Sequence, residues 1–234
     1  MARRPKSARP SAPSSPSRGG SDRDKIIAAF LELLADKRFE QIGFNDIADA
    51  AGVTLATLRG EFPSTLAILA AQMKAVDRAV LAEKLGDVAD EPPRERLFDV
   101  LMRRLETIRP HRDAVRSLMR SARRNPPLAL ALDALAVRSQ QWMLAAAGID
   151  AAGPRGMMRA QGLALLFAAV LRTFVGDEDP GLAPTMAALD RALARGQRFS
   201  GLLDDLCCVP ARLCRLRPGR RRRRGDSEED VAAA

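Results

Sequence analysis

Histidine occurs once in these 234 residues, at His111, and catalysis that depends on imidazole beside a nucleophile has almost nothing to work with. No Ser/His/Asp set, phosphate-binding loop or metal cluster is recognisable, and His111 follows Pro110 at a helix start, where capping or exposure is its expected lot. Cysteine is nearly as scarce. Cys207, Cys208 and Cys214 lie close together, but a zinc site needs a fourth ligand and His111 is far away in the chain. An odd number of thiols, with no secretory apolar segment at the N-terminus, points to reduced cysteines in a cytoplasmic protein. Aromatic residues make up only 4% of the chain, so its 47% of apolar residues must build a core from Leu, Ala, Val and Met. No period-2 segment marks a strand, and no uninterrupted apolar run of about 18 residues marks a membrane span, since Arg159 and Arg172 bound the longest candidate. These absences leave an all-α, non-enzymatic protein without metal or cofactor as the expectation.

The net charge of +9 resembles a nucleic-acid signature until it is divided along the chain. Residues 1–20 carry five basic and no acidic residues, residues 211–225 carry eight basic and none acidic, and residues 226–234 carry four acidic ones. The rest, 21–210, is balanced at 25 of each sign. Basicity belongs to the tails. The first is rich in Pro, Ser, Arg and Gly and reads as a disordered basic arm able to contact phosphates.

Order begins at Ser21, which caps a helix with Asp24 three residues on. Ile26, Ile27, Phe30, Leu31 and Leu34 form its apolar stripe, and Phe39 and Ile42 plug the same small core. From Phe44 the phrase FNDIADAAGV places Phe44, Ile47, Ala48 and Ala51 at helical spacing before Gly52, which supplies the left-handed position for a sharp reversal. Thr54 caps a second short helix that turns Leu58 inward and stops at Pro63. Two short helices joined by a glycine turn are a helix-turn-helix candidate.

A long helix follows from Ser64 to about residue 85, then helices from Arg94, from Asp113 to Arg123 with Val115, Leu118 and Met119 inward, from 127 to 147, from Met157 to Val175, and from Pro184 to Arg195. The expected division is 1–20 as arm, 21–66 as the helix-turn-helix domain, 67–200 as a larger helical body, and 201–234 as an amphipathic, Arg-rich tail. In that tail Phe199, Leu202, Leu206, Val209, Leu213 and Leu216 repeat at helical spacing beside Arg212, Arg215, Arg217 and the run Arg220 to Arg224, although Pro210 interrupts them. Residues 199–224 could thereby touch an anionic membrane surface.

A capped apolar helix, the phrase DIADAAGVTLATLRGEFPS, a linking helix and a larger helical body together resemble the TetR family of transcriptional regulators. The resemblance implies a TetR-like, all-α homodimer that binds double-stranded DNA by placing one recognition helix per subunit, Thr54 to Glu61, in the major groove. It further implies a body that senses a small apolar ligand and releases DNA when that ligand binds. The DNA-facing set would be Gly43, Asn45, Thr54, Leu55, Ala56, Thr57, Arg59 and Thr65, with Arg59 for phosphate or a guanine edge and Leu55 for a thymine methyl. Met102, Leu105, Met119, Trp142, Met143 and Phe167 would line the ligand site. Leu163, Leu166, Val170, Phe174, Met186, Leu189 and Leu193, on the last two helices, would form the dimer interface.

This chain departs from the family pattern in having Gly43 where Ser or Thr usually opens the second helix, Arg59, Gly60 and Glu61 where Tyr or His is usual, and Thr65 where Lys is common. Residues 21–65 also hold five basic against eight acidic residues, which predicts weak phosphate attraction by the head alone. A second resemblance, of the segment Ala160 to Phe199 to the TetR-fold accessory proteins of ubiquinone biosynthesis, implies lipid binding at a membrane as the alternative.

Overall fold

Ser21 opens the first helix by a reciprocal cap: its hydroxyl accepts from the Asp24 N–H while the Asp24 carboxylate accepts from the Ser21 N–H. That helix, α1 (Asp22–Asp36), buries Ile26, Phe30 and Leu34. The structure, a computed structural model of the chain, describes residues 21–83 and 90–196. Further helices are α2 (Phe44–Ala51), α3 (Leu55–Glu61), α4 (Thr65–Ala82), α5 (Pro93–Ile108), α6 (Arg112–Ala122), α7 (Pro126–Ala146) and α8 (Gly153–Phe174), with single 3-10 turns at Phe39–Gln41 and Arg109–His111. A ninth, α9, begins at 183 and runs to 196. No strand occurs among the described residues. The basic arm, the three cysteines and the tail segment 199–224 lie outside them.

Two hydrophobic cores organise the chain as far as Leu193, which together forms one compact unit. The smaller gathers Ile26, Phe30, Leu34, Ile42, Ile47, Leu58, Phe62 and Ile68, with the ring of Phe39 set edge-on to Phe30 at 6.2 Å between centroids. It also takes in Ala114 and Leu118 of α6 and Leu132 of α7. The larger core joins α4, α5, α7, α8 and α9 around Leu101, Leu105, Met143, Phe167 and Phe174.

The buried face of α6 differs from the expected one. Ala114, Ser117 and Ser121 are its buried residues, whereas Val115, Leu118 and Met119 are only half-buried. Small side chains let α6 lie close against α1, and both serines find backbone partners there. Ser117 Oγ donates to the Lys37 carbonyl at 2.7 Å, and the Phe39 N–H donates to Ser121 Oγ at 3.1 Å. At its other end Arg112 donates to the Asp177 carbonyl and Arg116 to the Val175 carbonyl, so the same helix is bonded to the end of α8. Arg112 and Arg116 are thereby engaged in holding the structure together.

α8 begins four residues before the expected start because Pro154 sits in its first turn, where a missing N–H costs nothing. Gly156 is held there by space: a Cβ would fall 2.0 Å from the Ala151 carbonyl carbon. With 22 residues, α8 has the length and composition of a membrane-spanning helix, while Arg159 and Arg172 bound its uninterrupted apolar stretch. Its apolar character serves the larger core, where Leu163, Ala164, Phe167, Val170 and Phe174 are buried.

Candidate nucleic-acid interface

The turn between α2 and α3 follows from two residue choices. Gly52 takes the left-handed conformation (φ 63°, ψ 36°), the Val53 N–H returns to the Ala48 carbonyl at 3.0 Å, and the chain reverses. Thr54 then starts α3, its hydroxyl accepting from the Thr57 N–H at 3.1 Å and pairing with the Thr57 hydroxyl at 2.9 Å. Leu58 and Phe62 anchor the helix in the small core, and Thr54, Leu55, Ala56, Arg59 and Gly60 are left facing solvent. α2 opens with half a capping box. The Asp46 carboxylate accepts from the Gly43 N–H at 2.8 Å, but Gly43 has no hydroxyl to return the bond. This bond first, and then Lys37 at 3.4 Å, holds the Asp46 carboxyl below the usual carboxylate range.

Between the first turn of α2 and the outer side of α3 runs a cleft of about 700 Å³, lined by Gly43, Phe44, Asn45, Asp46, Leu55, Leu58, Arg59, Phe62 and Pro63. Four of the sequence-derived DNA-facing residues meet in it: Gly43, Asn45, Leu55 and Arg59. Thr54, Ala56, Thr57 and Thr65 are not in its lining. Phe44 corrects the expected stripe of α2: it is 52% exposed rather than part of the core, because as the first helical residue it points off the end occupied by Ile47 and Ala48.

The cations of this head are mostly spoken for. Lys25 pairs with Asp22 at 2.8 Å and Lys37 with Asp46. Arg23 reaches from α1 to the end of α3, donating to Glu61 at 3.3 Å while its guanidinium lies 4.4 Å above the Phe62 ring. Arg59, by contrast, forms no ion pair among the described residues and stands at the edge of the cleft. The Arg23 brace joins residues 38 apart in sequence, and no local pattern announces it.

The other sequence-derived sites require correction. Of the ligand-lining set, Met102, Leu105, Met143 and Phe167 do share the larger core. Trp142 does not; it is 59% exposed on α7, one helical step off the face that buries Met143, and Met119 is only half-buried on α6. Sequence reading missed the polar cluster at this core, Asp77, Arg104 and Ser139. Arg104 falls on the helical face shared by Leu97 and Leu101, which was the available signal.

Of the dimer set, Leu163, Val170, Phe174, Leu189 and Leu193 are buried within the chain itself and leave little surface for a second copy. Leu166 is half-buried and Met186 exposed. The outward face of α8 carries Met158, Gly162, Leu165 and Ala169 instead, and that of α9 Ala183, Met186 and Ala187.

No model of a protein family matches this sequence, and no curated protein is detectably similar to it. Solved structures are. A TetR transcriptional regulator from Nitrosomonas europaea ATCC 19718 superposes with a TM-score of 0.57 at 20% identity, over 75% of this chain and 97% of that one. A TetR transcriptional regulator from Rhodococcus sp. RHA1 gives 0.52 at 21% identity, over 75% and 95%. A TetR-family regulator from Streptomyces coelicolor gives 0.51 at 17%, over 84% and 92%. The chain has the all-helical fold of these regulators.

Proposed function

We propose that the chain is a TetR-like transcriptional regulator that binds double-stranded DNA as a homodimer, through α2 and α3, and leaves it when a small ligand occupies the helical body. The observation that carries this reading is the reading head itself: a left-handed Gly52 turn, a hydroxyl-capped α3 anchored by Leu58 and Phe62, and an outward face that presents Arg59, which has no ion pair among the described residues. The fold shared with the regulators above supports it. The small and apolar outward faces of α8 and α9 suit a symmetric contact with a second copy, which a palindromic DNA site requires. The ligand-responsive part is the larger core around Met102, Met143 and Phe167, and a regulator of this kind works in the cytoplasm.

The test is a gel shift with the full chain at fixed moderate salt against DNA upstream of its own gene, beside sedimentation of the free protein. A specific shift that Arg59→Ala abolishes, given by a protein that sediments as a dimer, supports the proposal. A wild-type protein that shifts this DNA no better than random duplex overturns it.

A further inference from the structure

Phe44 and Leu55 are the two large apolar residues the head leaves half in water, 52% and 50% exposed, and they line the same cleft from different helices. Single exposed apolar residues are ordinary; two that share a concave site with a buried apolar floor are a binding feature. Leu58 and Phe62 supply that floor, and Asn45 and Arg59 flank it with hydrogen-bonding groups. The one carboxylate in the lining, Asp46, already accepts from the Gly43 N–H and Lys37.

We infer that this cleft is a thymine reader, in which Phe44 and Leu55 close on the 5-methyl groups of neighbouring thymines in the major groove. The inference rests on the DNA-binding reading above and assigns its base preference. Of the groups a base pair shows in the major groove, only the thymine methyl is apolar. Cytosine carries only a hydrogen where thymine carries its methyl, so a cytosine there forfeits the apolar contact. The electrostatics of the head point the same way. With Arg23, Lys25 and Lys37 each bonded to a carboxylate, phosphate attraction contributes little here, and apolar contact with base edges carries more of the affinity. Arg59 at the cleft edge is placed to take a guanine beside the thymines.

The experiment selects duplexes from a random library with the full chain, then replaces each enriched thymine in turn by deoxyuridine, which removes the methyl and nothing else. The expected result is a loss of about fourfold per contacted methyl, the worth of burying one such group, and on the order of tenfold for a contacted pair. Phe44→Ala is expected to weaken the thymine duplex by a similar factor and leave the uracil duplex unchanged, so that variant and base change are not additive; Phe44→Met retains most of the preference. Specific duplexes that wild-type protein binds equally with uracil overturn the inference and leave the regulator reading standing. A library from which nothing is enriched overturns both. The uracil comparison on wild-type protein needs no variant to fold.

Discussion

Arg104 of α5 donates to Asp77 of α4 with both side chains nearly excluded from water, 6% and 12% exposed. Ser139 of α7 closes the cluster, accepting from Arg104 at 2.6 Å and donating to Asp77 at 2.7 Å, and the guanidinium lies 5.5 Å from the Phe167 ring centre. Burial pushes the Arg104 guanidinium down and Asp77 opposes it. Removing only the carboxylate strands a buried cation. Asp77→Ala is therefore expected to lose about 3–5 kcal/mol of unfolding free energy in urea, whereas Asp77→Leu combined with Arg104→Met recovers most of it. A loss below about 1 kcal/mol for the single change would show that the pair holds nothing together.

Gly52 offers a test free of packing. A Cβ there meets no atom within 4 Å, so the cost of Gly52→Ala is that of forcing an L-residue into the left-handed region. Thermal or urea unfolding is expected to show about 1–2 kcal/mol of destabilisation, and Gly52→Asn less than Gly52→Ala, because Asn tolerates that conformation. Equal stability of Gly52→Ala and wild type would mean that the turn takes another shape in solution.

Acid should weaken the junction between α8 and α9 through one carboxylate. Burial opposes ionisation of Asp177, but the Thr185 hydroxyl, the N–H groups of Asp179 and Thr185, and Arg112 outweigh it and hold the carboxyl below its ordinary 3.8. A depressed folded-state pKa adds stability at every pH above the unfolded value, and that contribution disappears as pH falls through the folded one. Asp177→Asn should thus be less stable than wild type at pH 7, with the gap closing below about pH 4. A gap that stays constant from pH 7 to pH 3 would assign the effect to lost hydrogen bonds alone.

What could be read from sequence was what neighbours along the chain decide. Ser21 with Asp24, Gly52, and Thr54 with Thr57 are contacts across three residues or fewer, and α1 through α3 stand where those residues put them. Fold class was legible for the same reason. Faces were harder. α8 is apolar over more than one stripe, so periodicity alone could not say which leucines turn inward, and Leu163 and Leu165 end on opposite sides. The inward Ser117 and Ser121 of α6 carry no hydrophobic signal at all; their partners, Lys37 and Phe39, are about eighty residues away. Phe44 reads as core because it is a phenylalanine, yet its place at the first turn leaves it half exposed at the wall of the cleft.

The small core borrows Ala114 and Leu118 from α6 and Leu132 from α7. Cutting the chain at residue 66 would carry away all three helices of the reading head and leave one wall of their interior behind, together with the two serines that hold the Lys37 to Phe39 turn. Such a fragment would own the right helices and too little to bury. The head is not a transplantable cassette but a tenant of the body, and a graft onto another helical body would have to bring α6 along with it.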